Sequence, residues 1–239
     1  MPLTLDYYSL LTADGPAQMA ADEALLDRAA GGYAGLRFYT WSEPTLSLGY
    51  FQRAADRLTI PALAELPVVR RLTGGGAIVH HHELTYAVAL PVAPPWRGAA
   101  DWVCRMHDAI RAAFAEFGVT SALLGCGREQ GRERFLCFEH VTPGDVVIGE
   151  TKIAGSARRK RGTAVLQHGS VLLAASPFAP HLRGVREVSG VDLTPADLAG
   201  VIARRFSQST GWTFHETDPN PLFPPDQNRY RDPAWNERR

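Results

Sequence analysis

Three groups of residues in this chain are of types that do chemistry. The first is the run from Arg70 to Leu90, RRLTGGGAIVHHHELTYAVAL. Arg70 and Arg71 lead into Gly74, Gly75 and Gly76, and His80, His81 and His82 follow. Three glycines in a row cost much backbone entropy on ordering. A backbone that must pass close to a ligand repays that cost, with bare N–H groups turned towards negative charge and two arginines adding fixed positive charge. A tight turn between two strands accounts for the same run, so the segment alone leaves both readings open. The second group is the cysteines, Cys104, Cys126 and Cys137. A thiol starts at a pKa of about 8.5 and needs positive charge nearby to ionise at neutral pH. Cys126 lies between glycines with Arg128 and Arg132 close by, which suits a reactive thiol. Cys137 is flanked by Phe135, Leu136 and Phe138, which also suits a small buried hydrophobe. Cys104 falls on the polar side of a helix near Asp108 and Arg111 and reads as structural. The third group is the histidines. His80, His81, His82 and His168 are potential metal ligands, but neighbours in a strand point to opposite faces, so no metal site is expected.

These residues need a scaffold, and the chain has the material for one. It has 239 residues, is 45% hydrophobic and 21% charged, and carries zero formal net charge, which is ordinary globular composition and argues against a dedicated nucleic-acid binder. No apolar run approaches the roughly 18 residues of a membrane span. The N-terminal stretch MPLTLDYYSLL lacks a basic region and has Asp6 early, so it does not read as a signal peptide. An odd number of widely spaced cysteines does not make a disulfide framework, and the chain reads as cytoplasmic with reduced thiols.

Asp14-Gly15-Pro16 starts a helix over 18–30, and LRFYTW (36–41) and TLSLGY (45–50) read as strands around Ser42-Glu43-Pro44. Residues 67–72 form a short strand feeding the glycines. Residues 77–90 are long for one strand and read as a hairpin with HHHE at its turn. Val103, Met106, Ile110, Phe114 and Phe117 share one stripe of a helix over 101–117, which Gly118 closes. A short strand follows over 119–124, then a mobile loop over 125–134. Strands over 145–157 and 163–173 pair around a basic turn, Arg158 to Gly162, and Thr194-Pro195 starts another helix. The proline-containing tail from Asn220 is expected to lie extended on the surface. The alternation of elements predicts an α+β (mixed α/β) fold, a mostly antiparallel sheet flanked by helices, in one domain over 1–239.

Several separated motifs then share one order. They are Asp22-Glu23-Ala24-Leu25-Leu26, LRFYTW, PTLSLGYFQ, the glycine segment, Lys152-Ile153-Ala154-Gly155-Ser156-Ala157, Leu166-Gln167-His168-Gly169-Ser170, Arg229-Tyr230 and Trp235-Asn236. Together they resemble the lipoate–protein ligase and octanoyltransferase superfamily, which also contains the biotin ligases. Glu83-Leu84-Thr85-Tyr86 and Cys137-Phe138-Glu139 resemble its cysteine-dependent octanoyltransferase branch, in which a cysteine precedes the lysine of the KI-x-G motif by fifteen positions, as Cys137 precedes Lys152 here. One departure stands out: relatives often have His-Asp where this chain has His80-His81, which weakens a ligase reading or marks altered substrate choice.

The resemblance implies a sheet-based catalytic domain like that of the biotin and lipoyl protein ligases. It also implies an octanoyl group taken from acyl carrier protein and delivered to a lysine of a lipoyl domain or a glycine-cleavage H-type acceptor protein. Nucleic acid and membrane partners are not implied. In that frame Cys137 is the nucleophile and forms an acyl-enzyme, splitting one hard step into two easier ones. Lys152 supplies positive charge for the thiol and for oxygen charge developing on the acyl carbonyl. Arg70, Arg71, Gly74, Gly75, Gly76, His80, Gly155 and His168 bind substrate, with a satisfied core histidine as the other reading of His80 and His168. Ala77, Ala87 and Ala89 either form one wall of an acyl slot or simply pack sheet on helix. Burying six methylenes supplies about 5 kcal/mol, so no cofactor is required. Arg158 to Arg161 reads as a solvated loop or as a docking patch for an acidic carrier domain. The alternative is an ATP- and magnesium-using lipoate–protein ligase, with the glycines cradling an adenylate. The chain ends soon after Trp235-Asn236, where many such ligases continue into an accessory domain, so no ATP-dependent lipoylation by this chain alone is expected. A non-catalytic acyl-protein binding module is the third reading.

Overall fold

The computed structural model describes residues 3–94, 102–125, 135–223 and 228–238. In chain order the strands are β1 (Thr4–Ala13), β2 (Gly35–Trp41), β3 (Thr45–Leu48), β4 (Val68–Arg70), β5 (Ile78–His80), β6 (Glu83–Pro91), β7 (Ala122–Leu123), β8 (Val146–Ile148), β9 (Thr151–Arg161), β10 (Ala164–Leu172) and β11 (Thr213–Glu216). The helices are α1 (Gly15–Ala30), α2 (Pro61–Ala64), α3 (Trp102–Glu116), α4 (Val185–Ser189), α5 (Pro195–Thr210), α6 (Asn228–Arg231) and α7 (Pro233–Asn236). Strong caps start the long helices. Asp14 accepts the Ala17 amide at 2.9 Å ahead of α1, and Thr194 and Asp197 cap each other's backbone ahead of α5.

Eight strands form one large sheet in the order β11-β1-β2-β6-β10-β9-β8-β7, and β4-β3-β5 form a small one. The large sheet is parallel at β11-β1-β2 and antiparallel from β2 onwards. Strand alternation deals its side chains to two faces. Leu36, Phe38, Leu84, Tyr86, Val88 and Leu90 join Met106, Ile110 and Phe114 of α3 and Ile202 and Phe206 of α5 in one core. Tyr39, Trp41, Ala87, Ala89 and Leu166 face Ala21, Leu25 and Leu26 of α1 in another. Most of Arg37, Thr85, His168 and Ser170 is buried too, on positions that alternate with the first core. Thr85, His168 and Ser170 of that row line the space between the large and small sheets, whereas Arg37 turns to Gln18 and Asp22 of α1.

Three sequence expectations are corrected here. Residues 77–90 are not a hairpin: β5 pairs with β3 in the small sheet while β6 lies between β2 and β10 in the large one, so His81-His82 is a crossover between sheets. Arg158 to Arg161 is not a turn but the end of β9, and Gly162-Thr163 makes the connection. The tail does not lie extended. It folds into α6 and α7, buries Leu222, Tyr230 and Asn236, and contributes to the α1 core, because its aromatic residues find an apolar seat that its prolines do not block. The expected 125–134 loop lies, from Cys126 onwards, outside the described residues.

Candidate active site

A cleft of about 510 Å³ opens between the two sheets, within the usual size of a small-molecule site. It is lined by the glycine loop, by Cys137 and Lys152, and by His80 and His168. Cys137 opens a short 3₁₀ turn, and its position comes from the loop opposite. The Cys137 amide donates to Ala77 O at 2.9 Å, and the Ala77 amide donates to Phe135 O at 2.7 Å. A Cβ on Gly76 would stand 2.8 Å from the Cys137 nitrogen, so a bare residue there lets the cysteine backbone approach. Gly75 has φ of 86°, a conformation open chiefly to glycine.

Lys152 Nζ lies 3.7 Å from Cys137 Sγ and 2.8 Å from Asp145 Oδ2. Asp145 Oδ2 also accepts from the Thr142 amide and hydroxyl at 2.7 and 3.0 Å, so the carboxylate is fixed before it fixes the lysine. Lys152 and Asp145 are both buried. A Cβ on Gly155 would stand 2.5 Å from Lys152 Cε, so this glycine makes room for the ammonium. The Lys152 Nζ is placed to meet negative charge on the sulfur or on an acyl oxygen.

The two arginines of the sequence motif separate. Arg71 faces the cleft and ties the loop together, donating to Ser47 O at 3.0 Å, Gly74 O at 2.9 Å, Gly76 O at 2.6 Å and Thr73 Oγ1 at 3.2 Å. Burial lowers its pKa to about 10, with Cys137 pulling the other way, which leaves it charged at neutral pH. Arg70 is a correction. Strand alternation turns it away from the cleft, and its guanidinium donates to the carbonyls of Gly49, Gln52, Trp235, Asn236 and Arg238. It clamps the tail and does not line the site.

His168 links the loop to the sheet. Its Nδ1 is 2.7 Å from Asp22 Oδ2 and its Nε2 is 2.6 Å from Thr73 Oγ1. A carboxylate only accepts, so Nδ1 carries the proton and Nε2 accepts from the threonine hydroxyl. Asp22 also takes hydrogen bonds from Arg37 at 2.7 Å and Tyr39 at 2.9 Å. Burial opposes its charge, but the His168 hydrogen bond and the Arg37 charge outweigh it and hold the carboxyl below its usual range. His80 lies between Glu83 and Ser47, and burial lowers its pKa although Glu83 pulls upwards.

Of the residues singled out from the sequence, Cys137, Lys152, Arg71, Gly74, Gly75, Gly76, His80, Gly155 and His168 come together in one cleft. Ala77, Ala87 and Ala89 are not among its lining; Ala87 and Ala89 pack against α1, because their strand positions face the helix. His81 stacks on His82 with ring centroids 3.7 Å apart and contacts Ser176, outside the cleft lining. Cys137 is free, whereas Cys104 is disulfide-bonded, which corrects the expectation of a reduced thiol at that position. Cys126 lies outside the described residues. Among the described residues no cluster of His, Cys, Asp or Glu is arranged to hold a metal, and no helix is long and apolar enough to cross a membrane. Sequence reasoning missed Asp145, whose partners Thr142 and Lys152 are legible only in three dimensions. It also missed Ser47 and Thr73, single hydroxyls among many.

The family model of the lipoyl protein ligase A/B catalytic domain matches residues 14–188. Octanoyltransferase LipM of Moorella thermoacetica is 38% identical over 170 residues, 67% of this chain and 62% of its own length. Octanoyltransferase LipM of Symbiobacterium thermophilum is 36% identical over 66% of this chain and 61% of its own length, so the match spans less than two thirds of either relative. Lipoate-protein ligase A bound with ATP superposes with a TM-score of 0.75 at 23% identity, covering 98% of this chain and 99% of that one, a likeness of fold.

Proposed function

From the premise that this chain belongs to the lipoyl protein ligase A/B catalytic-domain family, we propose that it transfers an octanoyl group in protein lipoylation, through a thioester on Cys137. The observation that carries this reading is the free thiol of Cys137 with Lys152 Nζ at 3.7 Å, in a cleft walled by a glycine loop. The names of the octanoyltransferase relatives support the acyl group and the reaction class.

In the first half-reaction the Cys137 sulfur attacks the thioester of octanoyl-acyl carrier protein. A C–S bond forms, the donor thiolate leaves and takes a proton, and the new thioester is close in energy to the old one. Lys152, held by Asp145, stabilises the attacking sulfur and the carbonyl oxygen. In the second half-reaction a lysine amine of a lipoyl-type acceptor takes the acyl group. Neither half needs ATP, since the donor is already activated.

Intact-mass analysis after exposure to octanoyl-acyl carrier protein tests this. A gain of one octanoyl group on the Cys137 peptide is expected. Cys137→Ser should lose turnover, and Lys152→Ala should slow acylation by about 10²–10³-fold if the lysine acts as one oxyanion donor. Transfer that persists in Cys137→Ser refutes the covalent route, and pyrophosphate release with lipoate, ATP and magnesium favours ligation instead.

A further inference from the structure

Ser47 and His80 line the same cleft, yet the acylation of Cys137 gives them no task. Ser47 pairs with Ile78 and Thr45 pairs with His80, so Ser47 and His80 are diagonal neighbours on one face of the small sheet. The His80 ring stacks on Trp41, with centroids 3.8 Å apart and planes 14° apart, which fixes its orientation. Its Nε2 is 2.7 Å from Ser47 Oγ, and its Nδ1 makes a short hydrogen bond with Glu83 Oε1. Arg71 Nη1 donates to Ser47 Oγ at 3.2 Å. These partners settle the protons. The carboxylate of Glu83 accepts from Nδ1, so Nε2 holds a lone pair, and the serine hydroxyl directs its own proton to it. Thr85 also donates to Glu83 Oε1, whereas Glu83 Oε2 is buried with no hydrogen-bond partner among the described residues. A buried carboxylate compensated this thinly gains most when the imidazole beside it takes up a proton.

We propose that Ser47, His80 and Glu83 form a proton relay that acts as the base when the acceptor lysine discharges the acyl-cysteine. The proposal rests on the reading of Cys137 as acyl carrier. Lys152 Nζ is tied to Asp145 Oδ2 at 2.8 Å and faces the Cys137 sulfur, which suits it to holding negative charge there. The acceptor amine enters uncharged, having left one proton in solvent. Its nitrogen attacks the thioester carbon, the C–N bond forms, and the C–S bond breaks with its electron pair going to the Cys137 sulfur. The surplus proton on nitrogen passes to Ser47 Oγ as the serine proton moves to His80 Nε2, giving an imidazolium on the Glu83 carboxylate. That proton returns to the Cys137 thiolate or to solvent as product leaves, and no co-reactant is consumed.

The same three side chains also staple the small sheet to the large one, so a loss of stability does not decide the matter. Discharge of isolated octanoyl-Cys137 protein does. His80→Gln and Ser47→Ala are each charged from octanoyl-acyl carrier protein, then mixed with the lipoyl acceptor and followed by quenched intact mass. Octanoyl-Cys137 should accumulate in both variants, and its discharge to the acceptor lysine should slow by about 10²–10⁴-fold in His80→Gln, the usual contribution of a general base. Hydroxylamine should still discharge that thioester, because its N-protonated form is far more acidic than a lysine ammonium and gives up the surplus proton to water without the relay. Once corrected for the fraction of acceptor amine that is uncharged at each pH, the profile of lysine discharge should lose its acidic limb in His80→Gln. That limb belongs to His80 as set by Glu83, Arg71 and His168, the charged and titratable groups that act on it. Discharge to lysine at the parent rate in His80→Gln, or an equal slowing towards hydroxylamine, overturns the relay. Failure of the parent protein to form the thioester overturns the reading of Cys137, and the relay with it.

Discussion

Replacing Gly155 with alanine separates the placing of Lys152 from its presence. A Cβ there would stand 2.5 Å from Lys152 Cε, 2.9 Å from its Nζ and 3.1 Å from Asp145 Oδ1. The two closest atoms are the end of a long side chain, which yields where backbone would not, at the expense of its ion pair with Asp145. The ammonium therefore retreats, by about 1 Å to regain ordinary contact. At 3.7 Å the ammonium and a thiolate attract by about 4.5 kcal/mol at an effective dielectric of 20, and at about 4.7 Å by about 3.5 kcal/mol. A loss of about 1 kcal/mol in stabilising charge on the attacking sulfur corresponds to about fivefold in rate. Gly155→Ala should thus alkylate with iodoacetamide about fivefold more slowly at Cys137 at neutral pH, read by peptide mass. Its urea midpoint should fall as well, because the displaced ammonium loosens the buried Asp145 ion pair, so alkylation is compared on the folded fraction. Lys152→Ala should slow alkylation at least as much, and Gly155→Ala on that background should add nothing. Unchanged alkylation in folded Gly155→Ala, or full additivity of the two substitutions, refutes the argument that this ammonium governs the sulfur.

Gly75→Val forces a β-branched residue to φ near 86°; acyl transfer should be lost with the fold retained, checked by mass gain and circular dichroism. Arg70→Ala leaves a set of carbonyls on both sides of the tail without their donor and should destabilise by at least about 3 kcal/mol in urea unfolding, while an equal loss in activity beyond that expected from unfolding would place Arg70 back in the site. Asp22 has a folded pKa below its ordinary 3.8, so its ion pair contributes fully above that value and the contribution is lost as pH falls through the lowered one. The stability gap between the parent and Asp22→Asn should therefore shrink on acidification below about pH 4, and a gap independent of pH would contradict the assignment.

The glycine loop is legible from its own residue types, whereas Cys137 and Lys152 become legible only through the resemblance and the fifteen-position spacing that carries it. The sequence placed the helices well because caps such as Asp14 and Thr194 act over three residues. It failed where partners come from afar. The polar stretch His80 to Glu83 reads as a turn by local rules, yet the chain there leaves one sheet for another, and only the pairings of β5 with β3 and β6 with β10 decide that. Asp145 and Lys152 are seven positions apart on a bend and a strand, with no helical or strand period to announce their ion pair. The tail misleads for a related reason: its prolines are read at once, whereas the seat that Tyr230 and Asn236 occupy is built by α1 and β4.

Period two of the strand explains why paired motif residues do different work. Arg70 and Arg71 are adjacent at the end of β4, so their side chains leave on opposite sides. One guanidinium is spent on the carbonyls that seat the tail, with Asn236 Oδ1 accepting the Arg70 amide at 2.8 Å; the other is spent on the carbonyls of the glycine loop. His80 and His81 divide in the same way, His80 into the cleft against Ser47 and Glu83, His81 towards Ser176. The tail and the glycine loop are thus fastened to the two faces of one short strand. A change that loosens α7 acts on the cleft through the Arg70 backbone, which is continuous with Arg71. Asn236→Ala removes the acceptor for the Arg70 amide and the donor to Tyr230 O, and should cost about 1–3 kcal/mol of stability. It should also slow acylation of Cys137 through the displaced loop although Asn236 touches no part of the cleft lining. Stability lost with the acylation rate of the folded fraction intact would show that the strand isolates its two faces instead of coupling them.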